Sequence, residues 1–427
     1  MLRLRYGDGT LELPRPSGRL VRIIEAEAPV PNEAPPSIFS KALSRPLESP
    51  PLREIARGKK TAAILIPGKA RRTGTEYYVP ALLDELNAAG VEDSGITVFL
   101  ADGTHAQHVE ADIADLLGPE ARARVQCVGH DCKDASQLVR VGTTSRGTPV
   151  EFNRQVMSAD IRILTGRIVP HYFAGYSGGR KALLPGVAGW DTILANHKLT
   201  LAPEKGIHPR SAICQLEENP VHLDMVEAVD FVQAEFCLNT LLDADHRIIA
   251  AFTGSPRAVH QQGCQTADEM FRIRIPEPVD AVITCAGGLP YDCNFMQALK
   301  APFNVKEILR PGGAMLWIGE CAGGMLPGFL EWAKIKSYDE LNALARSQYN
   351  LTSHNSIMMR NLTTNANVGM ISDLPEEEVE AMGIHPLQDA DTAIEWLSRN
   401  SPPDFTYAVI PNANALCVAL EPSNQTH

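Results

Sequence analysis

The stretch Pro170–Gly186, P-H-Y-F-A-G-Y-S-G-G-R-K-A-L-L-P-G, gathers a histidine, a serine, paired glycines and a lysine with few carboxylates nearby. An imidazole moves protons near neutrality or holds a metal. A lysine beside a glycine-rich turn serves as a fixed cation or as a nucleophile. Glycines let the main chain approach a bound group closely, and their N–H groups suit a phosphate. A further histidine, His197, comes later in D-T-I-L-A-N-H. Together these residues read as a cofactor anchor joined to an acid/base site.

Such groups need a scaffold, and the apolar runs supply one. Ala62–Ile66 precedes a helical pattern over Val79–Ala89, and Ile96–Leu100 precedes one near Glu110–Leu117 that stops at Gly118. Ile161–Thr165 leads into the glycine-rich stretch, and Val279–Cys285 and Ala314–Gly319 repeat the pattern later. Alternation of this kind predicts an α/β fold with mainly parallel sheets. Phe236–Leu242 and Arg247–Phe252, either side of D-A-D-H, predict a hairpin. The first fifty residues, rich in proline, predict a short strand and an extended arm. R-I-P-E-P at Arg274–Pro278 marks a boundary between an N-terminal domain, 1–273, and a C-terminal domain, 274–427. The last apolar segments, Tyr407–Ile410 and Leu416–Leu420, are candidates to return to the first domain. E-E-E at 376–378 reads as a solvated first helical turn.

In open α/β sheets ligands sit beyond the carboxyl ends of strands. Three successive strand ends carry reactive groups: Lys69, Arg71 and Arg72 after Ile66, Asp102 and His105 after Leu100, and Arg167 and His171 after Thr165. His108 lies three residues beyond His105, without a third ligand nearby, and reads as a surface residue. In the second half, Gln297 and Lys300 are three apart and share a helical face after the strand ending at Cys285. Gly175–Gly179 also matches G-x-S-x-G, so a serine hydrolase using Ser177 is the alternative reading. That motif requires a strand running directly into the serine, and the predicted strand ends about ten residues earlier. Walker A and G-x-G-x-x-G signatures are absent.

Composition bounds the rest. The chain has 427 residues, 44% apolar and 21% charged, with net charge −12. The negative charge disfavours nucleic acid and anionic membranes as partners. No run of about eighteen apolar residues exists to span a bilayer. The opening M-L-R-L-R-Y-G-D-G lacks the apolar core of a signal peptide. The nine cysteines are scattered without a C-x-x-C pair, which predicts free thiols in a reducing compartment. The expectation is a cytoplasmic protein.

H-Y-F-A-G-Y-S-G-G-R-K-A-L-L-P-G, then N-H, together with G-T-H and Q-A-L-K, resembles the lactate racemase family. The similarity is collinear from about residue 60 to 420. Members are nickel-dependent 2-hydroxyacid racemases and epimerases built of two α/β domains with the active site between them. The resemblance implies a nickel-pincer nucleotide cofactor, matured by separate proteins. It also implies a small 2-hydroxy acid substrate, converted by reversible hydride transfer through a 2-keto acid. By the same resemblance Lys181 tethers the cofactor, His197 completes the nickel coordination, and His105 and His171 are the two acid/base groups. Arg71, Gln297 and Lys300 match residues around substrate or cofactor, and Ser177, Gly178 and Gly179 match the vicinity of the nucleotide. Three departures fall near the substrate. The family's D-x-T-R is Gly68, Lys69, Ala70 and Arg71 here, an arginine after G-T-H is replaced by Ala106, and H-N-S-I-M-M-R (354–360) lacks a tryptophan. They imply a retained cofactor and a substrate other than lactate.

Overall fold

A computed structural model describes residues 1–68, 71–105, 109–326 and 328–422. Lys69, Ala70, Ala106 and His108 lie outside the described residues. The chain forms two compact units. One comprises Ala28–Leu199 and Arg210–Glu269, and the other Met1–Glu27, Thr200–Pro209 and the chain from Met270 on. The first residues of the chain thus fold with the last.

The first unit holds a six-stranded sheet. Its spatial order is Ile248–Gly254, Phe236–Leu242, Ile161–Arg167, Ala62–Ile66, Ile96–Leu100 and Gln126–Val128. Only the first two pair antiparallel, as the predicted hairpin. The rest are parallel, with Ala62 opposite both Ile96 and Ile161. Every residue of Ala62–Ile66 and of Phe236–Leu242 is buried, as expected of strands covered on both faces. Helix Thr75–Ala88 buries Tyr78, Val79, Leu82, Leu83 and Leu86 against this sheet, an apolar stripe at helical spacing. The next helix, from Glu110, stops at Gly118 as expected: that residue is non-helical (φ 69°), and a second helical segment runs on from it to Arg124.

Strand order reverses between Ala62–Ile66 and Ile161–Arg167. Successive strands run to one side of Ala62–Ile66 and then return on the other. The carboxyl ends of these two strands are where such a sheet opens a ligand crevice. A buried polar chain fixes the loop above them. Thr73 Oγ1 meets Tyr78 Oη (2.9 Å), which meets Thr165 Oγ1 (2.8 Å), and Thr165 Oγ1 donates to Leu65 O (2.7 Å). Thr240 Oγ1 donates to Thr73 O (3.0 Å).

The second unit has its own six-stranded sheet, all parallel. Its order is His385–Leu387, Asn367–Ile371, Leu309–Ile318, Val279–Cys285, Thr406–Ile410 and Arg19–Ile23. The start of the chain is more structured than its prolines suggest. Leu2–Tyr6 and Gly9–Leu13 pair as a hairpin about Gly7 (φ 57°), with Leu2, Leu4 and Leu13 buried. Arg19–Ile23 pairs with Thr406–Ile410, and Pro35–Ser44 is a helix. The prolines lie between these elements or at the helix N-terminus, where a missing N–H costs nothing. Cys417–Leu420 pairs with Arg272–Ile275. Glu376–Glu378 form the first turn of helix Glu376–Ala381, as expected. All nine cysteines are free thiols, seven of them buried. No described helix is long and apolar enough to cross a membrane.

Candidate active site

The three reactive strand ends of the first unit lie on adjacent parallel strands within the sheet, all at its carboxyl end. Beyond Ile66, the exposed Arg71 Nη2 hydrogen-bonds His105 Nε2 at 2.9 Å. A guanidinium only donates, so Nε2 accepts and the ring in this contact is the neutral tautomer protonated on Nδ1. His105 sits in a turn closed by its N–H to Asp102 O (3.1 Å), and Asp102 is buried. Gly103 N–H donates to Gly186 O (2.9 Å), which ties the His105 turn to the end of the glycine-rich stretch.

Beyond Arg167, a two-residue strand at Pro170–His171 pairs antiparallel with Gly175–Tyr176, and a 3-10 turn comes next at Gly179–Ala182. This compact loop brings three of the expected site residues around one ring. Phe173, 3% exposed, has His171 edge-on at 4.5 Å between centroids and His197 edge-on at 5.3 Å. Lys181 Nζ lies 5.6 Å from the same ring centre. His171 also stacks on Tyr172 (5.1 Å). His197 is carried by helix Trp190–Lys198.

Ser177 and the glycines have internal partners. Ser177 Oγ donates to Arg167 O (2.6 Å) and accepts from Val169 N–H (2.9 Å), while its own N–H donates to Val169 O (2.9 Å). Gly179 N–H donates to Asn239 Oδ1 (2.8 Å). A Cβ at Gly179 would stand 2.5 Å from Cys237 Sγ, and one at Gly178 (φ 126°) would stand 2.6 Å from Ile168 Cδ1. These glycines let the turn lie flat on the sheet two residues before Lys181. Asn239, fully buried, leaves its Nδ2 without a hydrogen-bond partner beside this turn. Gly179→Ala is expected to destabilise the protein by about 1–3 kcal/mol through overpacking, read as a lower denaturant midpoint.

A cluster beneath the turn has no signature in the sequence. Arg180, 5% exposed, donates through Nη2 to Tyr176 O (2.9 Å) and Ala174 O (3.3 Å), and through Nη1 to Ser177 O (3.2 Å). Nη1 also meets His260 Nε2, and His260 stacks on His222 at 5.7 Å. Burial, then the Arg180 charge, holds the His260 imidazole well below its usual range and lowers His222 to about 3. Unfolded histidines titrate near 6.5. Below that pH the unfolded chain therefore binds more protons than the native one, and stability falls with falling pH. Each fully neutral histidine contributes up to about 1.4 kcal/mol per pH unit to this loss. Urea midpoints are expected to drop between pH 7 and pH 5, and the dependence to flatten in His222→Phe. His260 and His222 lie far apart in sequence from Arg180, which is why only the fold reveals them.

In the second unit, Gln297 and Lys300 meet as expected, Lys300 Nζ donating to Gln297 Oε1 at 2.6 Å. His354, in the segment without a tryptophan, is buried on helix Ser353–Asn365 and hydrogen-bonds Tyr349 Oη (2.9 Å). Among the described residues no three His, Cys, Asp or Glu side chains gather to hold a metal.

Comparison with known proteins places the chain in a family. Residues 6–208 match the lactate racemase N-terminal domain and residues 275–418 the lactate racemase C-terminal domain. The lactate racemase of Thermoanaerobacterium thermosaccharolyticum is 29% identical over 98% of this chain and 99% of its own length. That of Lactiplantibacillus plantarum is 31% identical over 66% of each chain. The solved apoprotein structure of the Thermoanaerobacterium enzyme superposes with a TM-score of 0.90 at 28% identity, covering 98% of this chain and 99% of that one. A Thermotoga maritima protein, 17% identical, shares the fold with a TM-score of 0.70 over 93% of this chain and 100% of its own. A mainly parallel α/β enzyme of the isomerase class is thereby defined. The chain belongs to the lactate racemase family.

Proposed function

We propose that this protein interconverts the stereoisomers of a 2-hydroxy acid other than lactate, with a nickel-pincer nucleotide attached through Lys181. The observation that carries the reading is the convergence of Lys181, His171 and His197 on Phe173. An amine for attachment and an imidazole for metal ligation face one ring, with a proton-transfer group on the same ring. The residues fit the group: imidazole nitrogen suits nickel, and the remaining donors would come from the nucleotide. The unpartnered Asn239 Nδ2 adds a buried donor beside the turn. When bound, the group supplies a hydride acceptor.

The chain's own residues do the rest. Arg71, beside His105, is suited to bind the substrate carboxylate while His105 Nε2 takes the proton of the neighbouring hydroxyl. Carboxylate and hydroxyl on adjacent carbons match a cation and an imidazole held 2.9 Å apart. His171 serves the opposite enantiomer in the same way. A planar 2-keto acid links the two, and each histidine returns a proton on its own side. Gln297 and Lys300 are assigned to substrate or cofactor contact from the family motif. The departures at Gly68–Ala70 and Ala106, and the missing tryptophan at 354–360, support a substrate other than lactate.

Intact mass and nickel analysis of protein from its native host test the reading. A mass increment on the Lys181 peptide with about one nickel per chain is expected. An active enzyme free of both would overturn it. A panel of 2-hydroxy acids with chiral analysis then identifies the substrate.

A further inference from the structure

We infer that Phe173 is a positioning residue for the reaction, its ring setting the mutual orientation of His171, His197 and Lys181. The catalytic consequence rests on the proposed function; the positioning itself rests on geometry. Three side chains with three different assignments share this one ring as a wall. Both imidazoles meet it edge-on, at interplanar angles of 86° and 65°, the arrangement that the ring quadrupole favours. The Lys181 ammonium lies within cation–π range of the ring before any modification. An aliphatic side chain of similar bulk offers neither interaction.

The main chain that carries the ring is held from behind. Asn219, fully buried, donates through Nδ2 to Phe173 O (2.9 Å) while its Oδ1 accepts from Val221 N–H (3.1 Å) and His222 N–H (3.2 Å), capping helix Pro220–Asp230. The same helix presents Asp224, whose buried carboxylate accepts from Asn196 Nδ2 (2.9 Å), Thr144 Oγ1 (2.5 Å) and Thr148 Oγ1 (2.8 Å). Asn196 immediately precedes His197. One helix therefore references both the main chain of Phe173 and the helix that carries His197. With the two backbones held, the aromatic ring is the contact that the three side chains between them share, with Tyr172 stacked on His171 beside it. Preorganisation of this kind governs rate, since misplacement by about 1 Å costs on the order of 10²-fold.

The test uses Phe173→Leu and Phe173→Met, which keep bulk and delete the ring, with Phe173→Tyr, which keeps it. In the apoprotein the ring Cε1–H resonances of His171 and His197 are expected to move in Leu and Met but not in Tyr, while His130 stays unchanged. In holoenzyme, Leu and Met are expected to lower kcat by about 10²-fold with KM changed by about twofold or less, and Tyr to retain most of kcat. Unchanged histidine resonances, or a loss confined to KM, would overturn the inference. If wild-type protein lacks nickel and racemisation, the proposed function fails, and the apoprotein resonances still decide the role of Phe173. Should Leu fail to fold, Met, whose flexible side chain fills irregular space, carries the same readouts.

Discussion

Lys181→Ala is expected to give a folded protein without the covalent mass increment, with nickel content and racemisation at background. Lys181 N–H donates to Gly178 O (2.8 Å) and its carbonyl accepts from Gly186 N–H (2.9 Å), so the main chain holds the turn. The buried Leu183 and Leu184 anchor the far side of that turn. Loss of the amine should cost about 1 kcal/mol or less, read as a small shift in thermal midpoint. In the proposed chemistry, however, the amine is the attachment point, and the two imidazoles at Phe173 have other roles. Lys181→Arg separates charge from nucleophilicity. It keeps a cation near the ring and is expected to be as inactive as alanine, because a guanidinium stays protonated. Mass spectrometry and metal analysis read both variants without reference to substrate.

His105→Ala and His171→Ala are each expected to lower turnover by about 10²–10⁴-fold in both directions, measured by chiral chromatography from either enantiomer. In the proposed mechanism a single lost base stops both directions, because every cycle uses one histidine on entry and the other on exit. The two variants should differ in KM. His105 is hydrogen-bonded to Arg71, so its removal also frees the guanidinium from its set position, and KM should rise. His171 lies against the rings of Tyr172 and Phe173, and its removal should fall mainly on kcat.

Much of the scaffold is legible in the sequence because buried parallel strands are short uninterrupted apolar runs. Ala62–Ile66, Ile96–Leu100 and Val279–Cys285 are readable to the residue, and with them the three reactive strand ends. The opening residues are legible only in part: a short strand is expected there, but the hairpin it makes and the pairing of Arg19–Ile23 with a strand near the other end of the chain are not. Residue types make His105, His171, Lys181 and His197 candidates for a site. Phe173 gives no such signal, because a phenylalanine next to a histidine looks like ordinary core. Arg180 is equally silent: its partners are main-chain oxygens and a histidine eighty residues away, and sequence carries no mark of either. Ser177 illustrates the reverse. Its motif suggests a nucleophile, yet its hydroxyl bonds the backbone of Arg167 and Val169, which leaves the hydrolase reading unsupported.

The pairing of Arg19–Ile23 with Thr406–Ile410 bears on how this molecule is made. During synthesis Arg19–Ile23 leaves the ribosome long before Thr406–Ile410 and must wait, without this partner, until that strand has been made. The Ala28–Glu269 region can meanwhile condense on its own, since apart from the short excursion at Thr200–Pro209 its partners have already left the ribosome. The arginines of the waiting strand keep its exposed edge charged over that interval, a guard against premature association with other nascent chains.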